Sequence, residues 1–446
     1  MLKANALEID ITPALGTIIN GEFTNRYAQK IADPLYAKAI YLQSGDMALL
    51  WIMVDICVMR REFLDPIKHE IEQLTGISKE HQLIASTHTH YGGSVADLLL
   101  AHADMAYRSL LHERLIQLAK DVTRLAVPAK IGFQKISKPE HLTCRRYKMK
   151  ESYVARNPIS MKEDRVKTNP FGAEHLIVER QGLPDGELPF IAIKTLSDDW
   201  IGMLANYNLH YVGDCERSTI TADYFGHFSR KVKENIQNEA AVIMMSNGTS
   251  GEVNIWDFID GDRYPKEFHA KSKCIGEDLA DAVCAQLSSV SWESTMKLEV
   301  GYVEAVLPIR PIDQEDLARA YQCIEQTVYE GIQHTDPELM EKVYAREQVL
   351  LQQYPATIRF PIQCFKLGNK VIGALGGEFF TETGKLLKAD PNYFFTICLA
   401  NDYVGYVPPR HEFEFGGYET WRARSSFLAE EAEELIRFQL TQLTKA

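Results

Sequence analysis

Two histidines one residue apart are the first residues of the chain whose types and spacing could do chemistry. His88 and His90 lie in Ser-Thr-His-Thr-His-Tyr-Gly-Gly, directly after the apolar run Gln82-Leu83-Ile84-Ala85. An apolar run before a glycine pair is typical of a short buried strand that ends in a loop. Residues i and i+2 of a strand point to the same face, so we expect both imidazoles at one edge of a sheet. The pattern is compatible with a metal site and with a pair of hydrogen-bonded surface histidines.

Four other apolar runs also end in polar residues beside glycine or other small residues. They run into His210-Tyr211-Val212-Gly213-Asp214, Ser246-Asn247-Gly248-Thr249-Ser250, Gly376-Gly377-Glu378 and Asn401-Asp402-Tyr403-Val404-Gly405-Tyr406. Loops at strand ends are where α/β proteins assemble their sites. Two histidines and a glutamate are a donor set typical of zinc, and a tyrosine or a water can complete it. Together, the five strand ends favour a metal site.

The elements that must position these residues mix hairpins with strand–helix units. Hydrophobic periodicity predicts strands at residues 6–11, 37–42, 48–54, 82–85, 191–196, 201–207, 240–245, 357–365, 370–375 and 394–400. It predicts helices at residues 62–74, 110–125 and 225–238, and a mostly helical segment at about 313–353. No repeat or linker divides the chain. We therefore expect an α/β fold with mixed β-sheets flanked by helices, in a single catalytic domain spanning residues 1–446.

Charge and cysteine usage exclude several classes of protein. The 446 residues carry a formal net charge of −13. An acidic chain does not present the basic face that duplex nucleic acid or an anionic lipid surface requires. The eight cysteines include no pair with CxxC spacing, so neither a zinc ribbon nor a redox pair is indicated.

The N-terminus predicts where the protein acts. It lacks the long apolar core of a secretory signal, and no stretch of about 20 uninterrupted apolar residues indicates a membrane span. We therefore expect a cytoplasmic protein that acts on a small-molecule substrate without a membrane or nucleic-acid partner. A homo-oligomer is compatible with the sequence.

The order and spacing of the motifs resemble one known family. The chain resembles the catalytic N-terminal part of the neutral/alkaline non-lysosomal ceramidases, including bacterial relatives of unassigned substrate. The resemblance runs from about Ala6 to Tyr418 and rests on STHTH, the strand ending at His210, Ala222-Asp223-Tyr224, Ser250-Gly251-Glu252-Val253-Asn254, Gly377-Glu378 and Asn401 to Tyr406. It implies a ceramidase-like catalytic domain. The large immunoglobulin-like C-terminal domain of the ceramidases has no expected counterpart after Tyr418.

The resemblance also implies a role for particular residues. It places four ligands on one Zn²⁺ ion: His88, His210, Glu378 and Tyr406. Tyr406 is the second tyrosine of the NxYxxY motif, and the first, Tyr403, is expected to take part in catalysis. His90 is expected beside the metal, in contact with the substrate or the reacting oxygen. Bound zinc would lower the pKa of a water molecule to about 7 and polarise a carbonyl group.

The chain departs from the family in the loop that carries the catalytic serine. Ceramidases resemble Gly-Asp-Val-Ser-Pro-Asn there, whereas this chain has Gly251-Glu252-Val253-Asn254-Ile255-Trp256, so Asn254 stands at the serine position. An amide cannot be a nucleophile, but it can orient or stabilise a group through hydrogen bonds. Ser250 lies on the other side of Gly251 and is expected to be a loop hydroxyl. A zinc-activated water is then the natural nucleophile, with Asn254 holding the substrate or that water.

An arginine pair indicates the charge of the substrate. Arg145 and Arg146 lie in the basic run Cys144-Arg145-Arg146-Tyr147-Lys148-Met149-Lys150. Guanidinium groups suit carboxylates, and relatives with this metal motif often carry an arginine pair here. The alternative is a solvated basic loop. We therefore expect a small polar or anionic substrate held by Arg145 or Arg146, and not ceramide.

The sequence as a whole predicts a zinc-dependent hydrolase that cleaves an amide or ester bond in a small polar substrate, with sugar-derived molecules included. Two alternatives stay open. One is a metal-dependent lyase or isomerase on a carbohydrate-derived substrate. The other is a non-catalytic binding protein with the ceramidase-like fold.

Overall fold

Two β-sheets form the centre of the protein, for which a computed structural model describes residues 1–445. The long strands of the larger sheet are β1 (Leu2–Asp10), β2 (Tyr36–Ser44), β3 (Met47–Val54), β4 (Gln82–Ser86), β5 (Val127–Ser137), β6 (Glu187–Thr195), β7 (Trp200–Tyr207) and β8 (Val242–Asn247). A two-residue strand, Trp292–Glu293, pairs with β5 at its side. The smaller sheet contains β9 (Leu298–Pro308), β10 (Thr357–Leu367), β11 (Lys370–Leu375) and β12 (Tyr393–Ile397).

Within residues 1–445, eight α-helices surround these sheets. They are α1 (Arg61–Thr75), α2 (Met105–Val122), α3 (Asp223–Asn235), α4 (Ala270–Ala285), α5 (Gln314–Glu325), α6 (Leu339–Leu351), α7 (Thr381–Leu387) and α8 (Ala432–Lys445). None of the helices within residues 1–445 is long and apolar enough to cross a lipid bilayer.

Both sheets are mixed, and their parallel pairs lie at the edges. The larger sheet has the order β8-β7-β6-β5-β1-β2-β3-β4, in which only β7–β8 and β3–β4 are parallel. The smaller sheet has the order β9-β10-β11-β12, and only β11–β12 is parallel. A parallel pair needs a crossover connection, which α1, α3 and α7 supply respectively for β3–β4, β7–β8 and β11–β12.

The two sheets pack face to face around a shared apolar core. Alternate residues of β1, Leu2, Ala4 and Ala6, belong to this core together with side chains of β10 and β11. Trp51 of β3 meets Phe365 of β10 edge-to-face, with ring centroids 5.4 Å apart. Helices α1 to α4 cover the outer face of the larger sheet and α8 covers the smaller one, which gives four layers.

Several short strands form small sheets of their own, separate from the two main sheets. Two-residue strands pair Ile18–Ile19 with Arg26–Tyr27, Lys30–Ile31 with Thr219–Ile220, Thr143–Cys144 with Val253–Asn254, Ala155–Arg156 with Glu163–Asp164, and Glu378–Phe379 with Tyr406–Val407. A three-stranded sheet has Arg146–Met149 between Val166–Thr168 and Ile177–Arg180.

The chain after β12 joins the carboxyl ends of the outer strands. Ser86 N–H at the end of β4 donates to Leu399 O at 3.2 Å, and Cys398 N–H donates to Asn247 O at the end of β8 at 2.9 Å. The ends of β4, β8 and β12 therefore meet at one place, which is where the polar loops of the sequence begin.

The fold class expected from the sequence, α/β with mixed sheets flanked by helices, is confirmed. The predicted strands and helices all have counterparts, whereas β5, β9, α4 and α7 were not predicted. Helix α8 lies in the short tail after Tyr418, which the sequence indicates to be helix-like. The segment predicted as mostly helical at 313–353 contains α5 and α6, and residues 326–338 between them are not α-helical. Residues 1–445 contain no immunoglobulin-like sandwich beside the two packed sheets.

Candidate metal centre and its cavity

The two histidines of the first motif lie in a loop, not on a strand. Strand β4 ends at Ser86, and His88 has a φ of 76°, which is uncommon for a residue with a side chain. His88 N–H donates to Ile56 O at 3.0 Å, which holds the loop against the end of β3. The rings nevertheless meet, because His90 Nε2 lies 3.2 Å from His88 Nε2. The two rings therefore lie together as expected, but a loop conformation brings them there and not the alternation of side chains along a strand.

His210 comes to the same point from the end of β7. Its Nε2 lies 3.1 Å from His88 Nε2. His88 Nδ1 contacts Cys57 O at 2.9 Å, and His210 Nδ1 contacts Ser250 O at 3.2 Å. A carbonyl oxygen only accepts, so each Nδ1 carries the proton in the neutral ring and each Nε2 presents a lone pair. When both rings are neutral, two lone pairs therefore face each other.

Glu378 completes a set that we call the histidine–glutamate trio: His88, His210 and Glu378. Its Oε2 lies 3.5 Å from His88 Nε2 and 3.2 Å from His210 Nε2. The three donor atoms lie within 4.8 Å of one another, and all three residues are buried. Oε2 accepts no hydrogen bond from residues 1–445, whereas Tyr403 O–H donates to Oε1 at 2.8 Å.

The trio fits a metal ion by its own chemistry. A buried carboxylate oxygen without a donor is costly, and two converging lone pairs repel each other. One divalent cation between the three atoms would satisfy all of them, and imidazole with carboxylate is a donor set suited to zinc. The carbonyl bonds to each Nδ1 are the outer contacts that commonly orient histidine ligands.

Tyr406 lies next to this set. The strand that contains it runs parallel to the strand that contains Glu378, with the two residues in register. Arg145 Nη2 and Tyr418 O–H each donate to the Tyr406 phenol oxygen at 3.0 Å. Burial raises the pKa of Tyr406 well above its ordinary value, although Arg145 opposes that rise. Two donors aimed at one phenol oxygen suit an oxygen that bears negative charge.

His90 occupies the border between the trio and open space. Its ring stacks on Tyr211 with centroids 3.6 Å apart and an interplanar angle of 17°. Gly21, whose φ is 103°, packs so closely that a Cβ there would lie 2.5 Å from the His90 ring. Burial, together with His88 and His210, lowers the pKa of His90 well below its ordinary value. The ring is therefore neutral at neutral pH.

The charges of the trio depend on one another. Burial raises the pKa of Glu378, but His88 and His210 outweigh it and hold that pKa well below its ordinary value. Burial and then Arg145 lower the pKa of His210 to about 4. Burial also opposes protonation of His88, yet Cys57 and Glu378 together raise its pKa. The carboxylate thus attracts positive charge to this point.

The arginine pair belongs to a second buried cluster, which we call the arginine–glutamate quartet: Arg145, Arg146, Glu412 and Glu419. Arg145 Nε donates to Glu419 Oε1 at 2.9 Å, and Arg146 Nη1 donates to Glu419 Oε2 at 2.7 Å. Arg146 Nη2 donates to Glu412 Oε2 at 2.9 Å. All four side chains are buried, so the alternative of a solvated basic loop is wrong.

Within the quartet, the two arginines differ in position. Arg145 lines the cavity beside the trio and donates to Tyr406, whereas Arg146 lies outside that cavity with its guanidinium group over Phe380. Successive residues of an extended chain point in opposite directions, which separates the two side chains. Only Arg145 of the expected pair can contact a molecule in the cavity.

Asn254 is also displaced from the cavity. It is buried, its Nδ2 donates to Asn169 Oδ1 at 2.6 Å, and its Oδ1 accepts from Trp256 N–H at 3.1 Å. Asn169, and not Asn254, lines the cavity. Ser250 Oγ donates to Asn247 Oδ1 at 2.6 Å, in agreement with a loop hydroxyl.

A cavity of about 340 Å³ opens beside the trio. His90, His210, Arg145 and Tyr406 line its inner end. Tyr211, next to His210, also lines it, and its other walls come from segments that the sequence did not indicate: Phe23, Tyr153, Asp164, Lys167, Thr168, Asn169, Tyr418 and Trp421. Most of these lie in residues 153–169 and 417–421, where no periodic pattern marks an element. The cluster of charged residues between Tyr153 and Asn169 was the available signal.

Comparison with known proteins bears on the fold. No protein-family model and no curated protein matches the chain. A solved ceramidase complexed with C2 matches with a TM-score of 0.71 and 12% sequence identity, covering 99% of this chain and 74% of that chain. The fold is ceramidase-like. The neutral ceramidase from Pseudomonas aeruginosa gives the same coverage, with a TM-score of 0.70 and 13% identity. The resemblance seen in the motifs is thus confirmed in the fold, at an identity too low to carry a reaction.

Proposed function

We propose that the protein is a zinc-dependent hydrolase that cleaves an amide or ester bond in a small polar substrate. The observation that carries this proposal is the histidine–glutamate trio, with both Nε2 lone pairs and the unpartnered Glu378 Oε2 directed to one point. His88, His210 and Glu378 would hold the ion, and Tyr406 is proposed as the fourth ligand. Bound zinc supplies Lewis-acid polarisation of a carbonyl and activation of water.

The surrounding residues support the chemistry in different ways. His90 is neutral and lies at the cavity wall, so we assign it to accept a hydrogen bond or a proton from the reacting group. Tyr403 fixes the Glu378 carboxylate through its 2.8 Å hydrogen bond. Arg145 directs a donor to the Tyr406 oxygen at 3.0 Å, which favours negative charge there. Each role uses an atom that faces the trio or the cavity.

Water is the nucleophile in this proposal. The family's serine position holds Asn254, whose side-chain amide donates to Asn169 Oδ1 and accepts from Trp256 N–H. We therefore assign Asn254 to positioning, through Asn169 in the cavity wall. Arg146 is assigned to the quartet and not to the substrate, because its guanidinium donors meet Glu412, Glu419 and Gly416 O.

The cavity supports a small substrate. A volume of about 340 Å³ is at the lower end of ordinary ligand sites and cannot enclose a molecule with two long aliphatic chains. Aromatic rings from Tyr153, Tyr211, Tyr418 and Trp421 alternate with polar groups in its walls. Such walls suit molecules with both apolar faces and polar substituents, including sugar-derived ones. Ceramide is not proposed as the substrate.

Zinc content and hydrolysis test the proposal together. We expect about one zinc per chain by elemental analysis, and little in a His88→Ala/His210→Ala double variant, because a site that loses two donors loses most of its affinity. A His69→Ala/His102→Ala double variant, which alters two exposed histidines, should keep the metal. Full zinc content in the first double variant would contradict the metal assignment.

A substrate panel then tests the reaction. N-acyl amino sugars, lactones, sugar-acid esters and short-chain ceramide should be compared with zinc-loaded protein. We expect turnover of a polar member, its loss on chelation and its return with zinc. In ¹⁸O water the product should gain one labelled oxygen, whereas an unlabelled, unsaturated product would indicate a lyase. Robust ceramide turnover that survives Arg145→Ala would overturn the substrate assignment.

A further inference from the structure

Five charged residues line the cavity, and three of them already have close partners within residues 1–445. Glu22 pairs with Arg26 at 3.2 Å and also with Arg217. Asp164 accepts hydrogen bonds from Gly417 N–H at 3.0 Å and from Trp421 Nε1–H at 2.7 Å. Arg145 belongs to the quartet, in which two arginines meet two glutamates and no net charge remains.

Lys167 and Arg156 are the other two. Among residues 1–445, no carboxylate lies within 4.0 Å of either cationic group, and neither side chain makes a hydrogen bond. Lys167 is half-buried, and burial lowers its pKa in spite of Asp164 and Glu419. Arg156 is exposed, at the hairpin formed by Ala155–Arg156 and Glu163–Asp164. The unpaired charges of this wall are those of Lys167, Arg156 and the hydrogen-bonded Asp164 carboxylate, and their sum is positive in a chain whose net charge is −13.

The backbone that carries Lys167 is firmly held. Its neighbour Thr168 donates to Glu419 Oε2 at 2.7 Å, and Asn169 accepts from Asn254 at 2.6 Å. The strand Val166–Thr168 pairs with Arg146–Met149. A lysine on a fixed strand loses less freedom on binding than one on a free loop, so it can select a ligand by charge.

We propose that Lys167, assisted by Arg156 at the cavity mouth, binds an acidic group of the substrate, which is therefore an anionic amide or ester. The arginine pair carries no spare charge for that purpose and instead anchors the strand of Lys167 through Glu419. This inference rests on the proposed function, because it assigns the substrate of the same site.

Zinc-binding probes of graded length test the inference without knowledge of the substrate. Succinic, glutaric and adipic monohydroxamic acids end in a carboxylate, and their monoamide counterparts end in a neutral carboxamide. With zinc-loaded wild-type protein, calorimetry should show about tenfold tighter binding of the acid than of the amide at one chain length, as expected for a half-buried charge pair. Lys167→Met should abolish this preference and leave the affinity for the amide unchanged.

Lys148→Met is the matched control. Lys148 lies on the neighbouring strand, outside the cavity, and pairs with Glu179 at 2.6 Å. That variant should keep the preference for the acid. Equal affinity for acid and amide at every length in wild-type protein, or a preserved preference in Lys167→Met, would overturn the inference while leaving the zinc assignment intact.

A second arm separates this inference from the proposed function. If no hydroxamate binds zinc-loaded protein, the zinc assignment fails, and the charge of the wall is then tested on metal-free protein. Ligand-observed NMR with glutarate and with glutaramide should show binding of glutarate alone, lost in Lys167→Met and kept in Lys148→Met. Glutarate binding that survives Lys167→Met, or no glutarate binding to wild-type protein, would contradict the role of Lys167.

Discussion

The histidine–glutamate trio and the arginine–glutamate quartet are both buried beside the same cavity, yet they balance their charges in opposite ways. In the quartet, each carboxylate that enters the interior meets a guanidinium group at 2.7–2.9 Å. In the trio, the Glu378 Oε2 atom accepts no hydrogen bond from residues 1–445, and the Nε2 lone pairs of the two neutral imidazole rings would face each other. The charges of the first cluster are paired within residues 1–445, whereas the second leaves donor atoms that the proposed cation would satisfy.

This difference indicates that the quartet stabilises the fold, whereas the trio is suited to bind a ligand. A closed set of buried ion pairs loses stability when one partner is removed, but it offers little to a ligand. A set of donors without partners in the chain is stabilised mainly by the ion that it binds. Sequence analysis assigned substrate binding to the arginines because of their charge, and the structure shows that this charge is already neutralised by Glu412 and Glu419.

Opening the quartet should produce the largest loss of stability. Glu419→Gln leaves Arg145 and Arg146 without their shared carboxylate in a buried position. We expect the free energy of unfolding to fall by about 3–5 kcal/mol, the usual cost of breaking a buried pair. Denaturant unfolding measures it, with Glu179→Gln at the exposed Lys148 pair as a control that should cost under about 1 kcal/mol. Equal stability of the two variants would show that the quartet contributes no more to stability than an exposed ion pair does.

Loss of a trio ligand should act on the metal instead. Zinc binding in proteins is worth roughly 10–16 kcal/mol, so one of four ligands accounts for roughly 3–4 kcal/mol, or several-hundredfold in affinity. We therefore expect His210→Ala to weaken zinc binding by about that factor in a competition assay with a chromophoric chelator. The zinc-free variant should lose less stability than Glu419→Gln. Unchanged zinc affinity would place the ion elsewhere.

Loss of the hydrogen bond from Tyr403 to Glu378 should weaken zinc binding less than loss of a ligand does. Tyr403→Phe removes the O–H that orients Glu378 while keeping the ring. Outer contacts of metal ligands are typically worth 10–100-fold in affinity, and we expect a weakening of about that size for zinc. Tyr393→Phe, which removes a buried hydroxyl bonded to Thr396 at 2.8 Å, is the control and should leave zinc affinity unchanged. A Tyr403→Phe variant with wild-type affinity would show that Glu378 needs no such support.

Glu252 offers a buried carboxyl with neither a cation nor a metal role. Both of its oxygens accept from Thr381 N–H at 3.0 Å, and burial raises its pKa to about 7. The folded state therefore holds a proton that the unfolded state releases nearer pH 4.5, so this group's contribution to stability is present at low pH and lost as pH rises toward 7.

Glu252→Gln should remove that dependence. The free energy of unfolding of the variant, relative to wild type, should rise by up to about 2 kcal/mol between pH 5 and pH 8. Denaturant unfolding at several pH values measures the difference. Glu419→Gln should show no such rise, because arginines hold the pKa of Glu419 below its ordinary value. A flat difference for Glu252→Gln would mean that the carboxyl is ionised throughout.

Much of the site could be predicted because strand ends are visible in a sequence. His88, His210 and Glu378 each follow an apolar run, and the runs end where strands β4, β7 and β11 end. The conformation of His88 was not predictable, since its positive φ depends on the bond to Ile56 O at the end of β3. Local patterns do not report such contacts.

The remaining errors come from long-range partners and weak patterns. Glu419 lies 273 residues from Arg146, so the closed quartet was invisible and its arginines looked free. Strands β5 and β9 were missed because charged residues interrupt their alternation, and β9 is half-buried along most of its length. Asn254 matched the family's serine in position, but the structure puts Asn169 between it and the cavity.

The segment that follows β12 has a consequence for biosynthesis. The trio brings together residues as distant in sequence as His88 and Glu378, and the bonds that join β4 to β8 come from residues 398–401. Chains leave the ribosome N-terminus first, and contacts between distant residues form late. A nascent chain from which both histidines have left the ribosome still lacks Glu378 and residues 398–401, which join the ends of β4 and β8. We therefore expect the proposed zinc ion to bind only after translation, when the whole chain has folded.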